Sequence, residues 1–294
     1  MAKPVRTIGN PMTWTLDAII DLVRSGRHAA RDIGGEGLPP PEVARLDFRD
    51  LGLALRKGAV DFAALRTDVI FIVILYPMMG LVLTMFALQR DLLPLLFPMM
   101  SGFALLGPIA AIGLYEMSRC RQKGDPAGYG AAFGVIRSPA IGSILAIGLG
   151  LAVVFFVWLL AALLIYRLTL GPASPISPAA FATDVFTTPA GWALLVLGCG
   201  VGFVFAAVTL ATTVVSIPLI LDRHVGVYAA VTASLAVTRK NPAVVAAWGL
   251  IVAASLALGT LPIFLGLILV FPILGHATWH LYQRAVQPPA APDA

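Results

Sequence analysis

Residues 241–283, NPAVVAAWGLIVAASLALGTLPIFLGLILVFPILGHATWHLYQ, run for 43 positions without an aspartate, glutamate, lysine or arginine. As one α-helix the run would be about 65 Å long at ~1.5 Å per residue, about twice the hydrocarbon thickness of a bilayer. It must therefore break. The sequence Gly259-Thr260-Leu261-Pro262 supplies the break, with Thr260 as an N-cap and Pro262 in the first turn of a new helix, where a missing N–H does no harm.

Four further stretches lack those residues: 69–89, 92–115, 138–166, 185–221. Each holds one crossing of about 20 residues. The chain is 59% hydrophobic and 12% charged, about half the charge of a soluble domain. These observations predict an all-α, polytopic membrane helix bundle of about six transmembrane helices, near 69–88, 94–116, 140–166, 192–220, 243–258 and 262–282.

With six spans and the N-terminus inside, eighteen of the twenty basic residues fall on the cytoplasmic side, leaving Arg90 and Arg167 outside. That asymmetry sets both termini in the cytoplasm. Residues 1–68 read as a cytoplasmic arm with two amphipathic helices, Thr13–Val23 and Asp47–Leu65, separated by GGEGLPPPEV. The second puts Leu51, Leu55, Ala59 and Phe62 on one face, with Asp61 elsewhere, and leads into the first span; the surface it covers is either the inner leaflet or the protein's own loops. Residues 69–284 form the transmembrane domain, and 285–294, ending PPAAPDA, a disordered tail.

Weak internal hairpin repeats run through the membrane region. The segments after spans two and four share an order: Pro near the span end, a charged cluster, a Tyr-centred apolar segment, a basic residue, then Pro and a new span. The end of span six repeats the first part. The Tyr-centred segments, Ala127–Ile136 and Val225–Val237, are too short to cross and too apolar for hydrated loops. They read as interfacial helices, with Arg119, Arg121, Arg137, Arg239 and Lys240 facing anionic lipid and Tyr129, Tyr228 and Trp279 at headgroup depth.

Three segments carry a family resemblance: FPMMSGFALLGPIAAIGLYEMSR at 97–119, FPILGHATWHLYQR at 271–284, and DFRDLGLALRKGAVDFAALRTDV at 47–69. Together they resemble the domain-of-unknown-function 2189 family of predicted bacterial integral membrane proteins, over about residues 45–285. The resemblance implies a polytopic protein of the bacterial inner membrane and brings no catalytic residues with it.

The chemistry gathers at the span ends. His276 and His280 lie four apart, on one helical face. Converging span ends would join them with Glu116 and with His224 or Asp222 in a mixed nitrogen and oxygen metal site. Against this stands an interface belt of His276, Trp279, His280 and Tyr282. Cys120 and Cys199 have no CxxC partner and fall at different depths. No phosphate loop or hydrolase elbow is present, and no nucleic-acid motif. No cofactor is expected. Thr209, Thr212, Thr213 and Ser216 either line a path or bond their own helix. The expected function is a non-catalytic accessory, assembly or scaffold component of a membrane complex, not an enzyme, with the bilayer and a membrane protein as partners. A passive pore or transporter for a small solute and a metal-binding protein are the alternatives.

Overall fold

The computed structural model describes residues 41–87, 92–262 and 264–287. Among the described residues the chain is mostly helical, with one β-bridge, which pairs Val43 with Val286. The expected helix at Thr13–Val23, and the tail from 288 onward, lie outside them. Twelve α-helices follow in order among the described residues: α1 Phe48–Ala87, α2 Leu96–Phe103, α3 Gly107–Ala110, α4 Ile112–Lys123, α5 Tyr129–Gly134, α6 Ile141–Thr169, α7 Pro178–Thr187, α8 Pro189–Thr213, α9 Ser216–Arg223, α10 Val227–Lys240, α11 Pro242–Thr260 and α12 Leu267–Ala285.

Among the described residues, four segments are long and apolar enough to cross a membrane: Leu93–Lys123, Ile141–Thr169, Pro189–Arg223 and Pro242–Thr260. They coincide with the second to fifth expected spans. The first expected span coincides with α1 over residues 69–87, and the sixth is mostly α12.

The long uncharged run breaks where its sequence indicates, since α11 ends at Thr260. The cap differs from expectation. Thr260 Oγ1 donates back to the Ala257 carbonyl at 2.7 Å, and the helix resumes only at Leu267. Two glycines explain the delay: a Cβ on Gly266 would stand 2.8 Å from Gly259 Cα, so the turn lets the two helices touch backbone to backbone.

Asp47–Leu65 is not a separate arm helix, because α1 runs unbroken from Phe48 through residue 68. Its buried stripe is Leu51, Ala54, Gly58, Asp61 and Leu65, rotated from the expected Leu51, Leu55, Ala59 and Phe62. The cause is close contact with α12. A Cβ on Gly58 would lie 2.6 Å from the Ala277 amide nitrogen and the Ile273 carbonyl oxygen, so only glycine permits this approach. On the opposite side of α12, a Cβ on Gly275 would lie 2.6 Å from Leu114 Cδ1. The C-terminal half of α12 is thereby held between α1 and α4.

A strap closes this end. The Ala44 amide donates to the Ala285 carbonyl at 2.9 Å, and the Gln287 amide to the Glu42 carbonyl at 3.0 Å, so residues 285–287 belong to the fold. Asn241 fastens the strap to the α10–α11 junction. Its Oδ1 accepts from the Leu46 amide at 2.8 Å, and its Nδ2 donates to the Ala44 and Val237 carbonyls at 3.1 and 3.2 Å.

The hairpin repeat is visible as element order. The segment 93–123 is followed by α5 and then α6; the segment 189–223 is followed by α10 and then α11. The two short helices differ: α5 buries only Ala132 and leaves Phe133 exposed, whereas α10 packs more deeply than an interfacial role requires. In α10, Ala230, Ala233, Ser234 and Val237 are buried, and Ser234 Oγ donates to the Ala211 carbonyl at 2.8 Å.

Packing is uneven along the bundle. Leu114, Met117, Ile217, Leu219, Ile220, Leu221, Trp279, Leu281 and Tyr282 are fully enclosed near the charged helix ends. The apolar length of α6 and α8 exposes Leu145, Leu149, Val153, Phe156, Leu160, Val196, Phe203 and Val204. Such a band suits hydrocarbon, where apolar surface needs no cover.

Candidate functional site

Three elements meet at the charged end: α1 through Asp61, α4 through Ser118 and Arg121, and α12 through His276 and His280. Asp61 is 5% exposed. Its Oδ2 accepts from Ser118 Oγ at 2.7 Å and lies 2.8 Å from His280 Nε2, while its Oδ1 accepts from Arg121 Nη1. Ser118 Oγ also lies 2.7 Å from His276 Nδ1.

The pattern assigns the tautomers. An ionised carboxylate only accepts, so His280 Nε2 carries a hydrogen; Ser118 gives its single hydrogen to Asp61 and so accepts from His276 Nδ1–H. The order is His276 to Ser118 to Asp61, with His280 and Arg121 completing the carboxylate. Burial pushes the Asp61 carboxyl up, but hydrogen bonds from His280, Ser118 and Arg121 outweigh it and hold the group at about 2. Asp61 therefore stays ionised at neutral pH, which a buried carboxylate requires strong partners to do.

The remaining ring nitrogens, His276 Nε2 and His280 Nδ1, are buried without a hydrogen-bond partner among the described residues. His276 and His280 are thus brought together, but through Asp61 and Ser118. Two other expected ligands are elsewhere. Glu116 holds Arg119 in a fork, Oε2 to Nε at 2.7 Å and Oε1 to Nη2 at 2.6 Å. His224 is an exposed residue in left-handed conformation, φ 53°, closing α9. Among the described residues no three His, Cys, Asp or Glu side chains gather as a metal cluster.

The expected interface residues divide. Tyr228, Arg137 and Arg239 are exposed and Tyr129 is half-buried. Trp279 is a correction, at 1% exposure with its Nε1 donating to Gln122 Oε1 at 3.1 Å. His276, His280 and Tyr282 are buried with it, so this group is a packed layer and not a lipid-facing belt. Arg119 and Arg121 turn to Glu116 and Asp61, and Lys240 Nζ donates to the Val43 carbonyl at 2.6 Å.

Of the polar residues of the fourth expected span, Thr212, Thr213 and Ser216 bond to helix carbonyls, while Thr209 Oγ1 is buried without a hydrogen-bond partner among the described residues. Thr212 donates to the Val208 carbonyl at 2.8 Å and Thr213 to the Thr209 carbonyl at 2.6 Å. Ser216 reaches the Ala230 carbonyl at 3.1 Å and ties α9 to α10.

Two open pockets flank the network. The larger, about 520 Å³, is lined by Lys57, Gln122, Asp222, Arg223, His280, Tyr282, Gln283, Arg284 and Val286. The smaller, about 330 Å³, adds Leu53, Arg56, Val60, Asp61 and Arg121, and shares Lys57 and His280.

Residues 96–222, from α2 to the end of α9, match the family model described as predicted integral membrane protein (DUF2189). No curated protein and no solved structure matches the chain. Ser118 and Arg121 fall inside the matched segment, while Asp61, His276 and His280 lie outside it. Over residues 96–222, somewhat under half of the chain, the sequence is similar to the predicted integral membrane proteins of the domain-of-unknown-function 2189 family.

Proposed function

We propose that the protein is a non-catalytic component of a bacterial inner-membrane assembly, an accessory, assembly or scaffold subunit with about six crossings and both termini in the cytoplasm. The contrast along the bundle carries the reading. The charged end is a packed layer in which Asp61, Glu116 and Asp222 already have protein partners, while α8 leaves most of its apolar length open. A rigid platform joined to unpartnered membrane helices suits docking better than turnover. Anionic lipid around Arg137, Arg239 and Tyr228 belongs to the same reading.

The test is purification from native membrane in mild detergent, with mass spectrometry of co-purifying proteins and elemental analysis of the same sample. A companion at near-equal amount, lost when Phe203 and Val204 on α8 are replaced by Trp, is the expected result. A protein that comes alone and conducts a small solute in liposomes is a pore. One that comes alone with stoichiometric metal removed by His276→Ala is a metalloprotein. Either outcome ends the accessory reading.

A further inference from the structure

The two pockets at the charged end have a chemistry that the hydrogen-bond network does not use. Three cations, Lys57, Arg223 and Arg284, line the larger pocket against one carboxylate, Asp222. That carboxylate is already engaged, since Tyr282 Oη donates to its Oδ2 at 2.8 Å and Lys123 Nζ stands 4.0 Å from its Oδ1.

The cations retain free donors. Lys57 makes no hydrogen bond or ion pair among the described residues. Arg284 commits Nε to Asp50 at 2.5 Å, and Arg223 commits Nη2 to the Gln287 carbonyl. Each guanidinium has five N–H groups in a planar fork, so both keep donors suited to a tetrahedral oxyanion.

A neutral donor joins them. Trp279 Nε1 can only donate, so its bond fixes Gln122 Oε1 toward α12, where Gln283 Nε2 donates to the same oxygen. The Gln122 Nε2 hydrogens are then left without a protein acceptor among the described residues. Lys57 also borders the smaller pocket, where Leu53 and Val60 are exposed apolar surface, 40% and 52%, beside Arg56. Charge and amide donors on one side of Lys57 and apolar contact on the other fit an amphiphilic anion.

We infer that these neighbouring pockets bind a phosphate ester of net negative charge, with its phosphate held by Lys57, Arg223, Arg284 and Gln122, and any apolar portion resting on Leu53 and Val60. The phosphate comes either from an anionic phospholipid headgroup or from a soluble phosphate. This site is distinct from Arg137 and Arg239, and it does not depend on what the membrane helices pack against.

The full-length protein in neutral detergent is titrated with short-chain phosphatidylglycerol, short-chain phosphatidylcholine and inorganic phosphate, with binding followed by native mass spectrometry and calorimetry. The wild type is expected to prefer phosphatidylglycerol to phosphatidylcholine. The double variant Lys57→Gln, Arg223→Gln is expected to lose roughly thirtyfold in affinity, by the attraction of two basic side chains for anionic lipid. Arg167→Gln, exposed in the last turn of α6 and lining neither pocket, serves as the control and stays unchanged. Lys57→Gln alone, on an exposed and unpartnered side chain, keeps the test sound if the double variant is misfolded. Inorganic phosphate competing with the lipid identifies a soluble source, and failure to compete identifies the headgroup. Equal binding of both lipids without phosphate binding, or an affinity that Lys57→Gln leaves at the wild-type value, overturns the inference.

Discussion

Replacing Asp61 by alanine removes the acceptor shared by Ser118, His280 and Arg121. Breaking a buried charged pair by deleting one partner costs about 3–5 kcal/mol, because the groups left behind are already out of water. The carboxyl's own titration gives a second figure. It is lowered from 3.8 to about 2, nearly two units at ~1.36 kcal/mol each, or about 2 kcal/mol. The second value is the smaller because it omits the stranded donors. For a chain of this size ~1 kcal/mol moves the midpoint by about 2–4 °C, so Asp61→Ala should melt roughly 5–15 °C lower near pH 7. Asp61→Asn keeps one acceptor oxygen and should fall between. The sign of the pH dependence follows from a folded-state value below the unfolded one. The stabilisation is complete above about pH 5 and is lost as pH falls through 4 toward 2. Heating the detergent-solubilised protein and measuring the surviving monodisperse fraction reads both effects. A variant that melts within about 1 °C of wild type, or a gap unchanged between pH 6 and pH 3, refutes the reasoning.

Gly58→Ala should destabilise by about 1–3 kcal/mol, because its Cβ meets backbone atoms of α12 at 2.6 Å. Gly52→Ala on the same helix, with nothing within 4 Å, should stabilise by up to about 1 kcal/mol, and the same melting assay compares them. Asn241→Ala strands the Leu46 amide and two carbonyls; a loss of about 1–3 kcal/mol and faster protease cleavage within 41–47 are expected. Reporters fused after Ala294 should be active in the cytoplasm and one inserted near Ser174 in the periplasm; the opposite pattern inverts the topology.

Much of the fold was legible because charge is so costly in hydrocarbon that its absence marks the helices directly. The runs 92–115, 138–166, 185–221 and the first part of 241–283 each became a segment long enough to cross. Local chemistry then misled at the joint. Thr260 and Pro262 fit a new helix N-terminus on paper, yet tertiary contact between Gly259 and Gly266 decides where α12 begins. The same holds for α1. Four apolar residues, Leu51, Leu55, Ala59 and Phe62, suggest one face, whereas the buried one is spaced three and four apart through Ala54, Gly58 and Asp61. A small residue followed three positions later by a buried acid was the available signal. Hydrophobic periodicity undervalues it, because glycine adds little apolar area and aspartate counts as solvent-facing.

The histidine pair shows why site chemistry is harder to read than topology. Spacing placed His276 and His280 on one helical face, and the structure keeps them there. Spacing could not supply the partner, because Asp61 lies on a helix more than two hundred residues earlier in the chain. Nor could it separate a membrane exit from a buried seam, since both place aromatic and imidazole groups beside charges. What separates them is the backbone approach at Gly58 and Gly275, which draws α1 and α4 against α12 and shuts water away from His276. Once those helices close, an isolated carboxylate would be too costly to bury. Asp61 is tolerated because Ser118, His280 and Arg121 converge on it from the two other helices. The close helix packing and the polar network are therefore one feature, and Gly58→Ala should weaken the Asp61 hydrogen bonds even though it changes no member of the network.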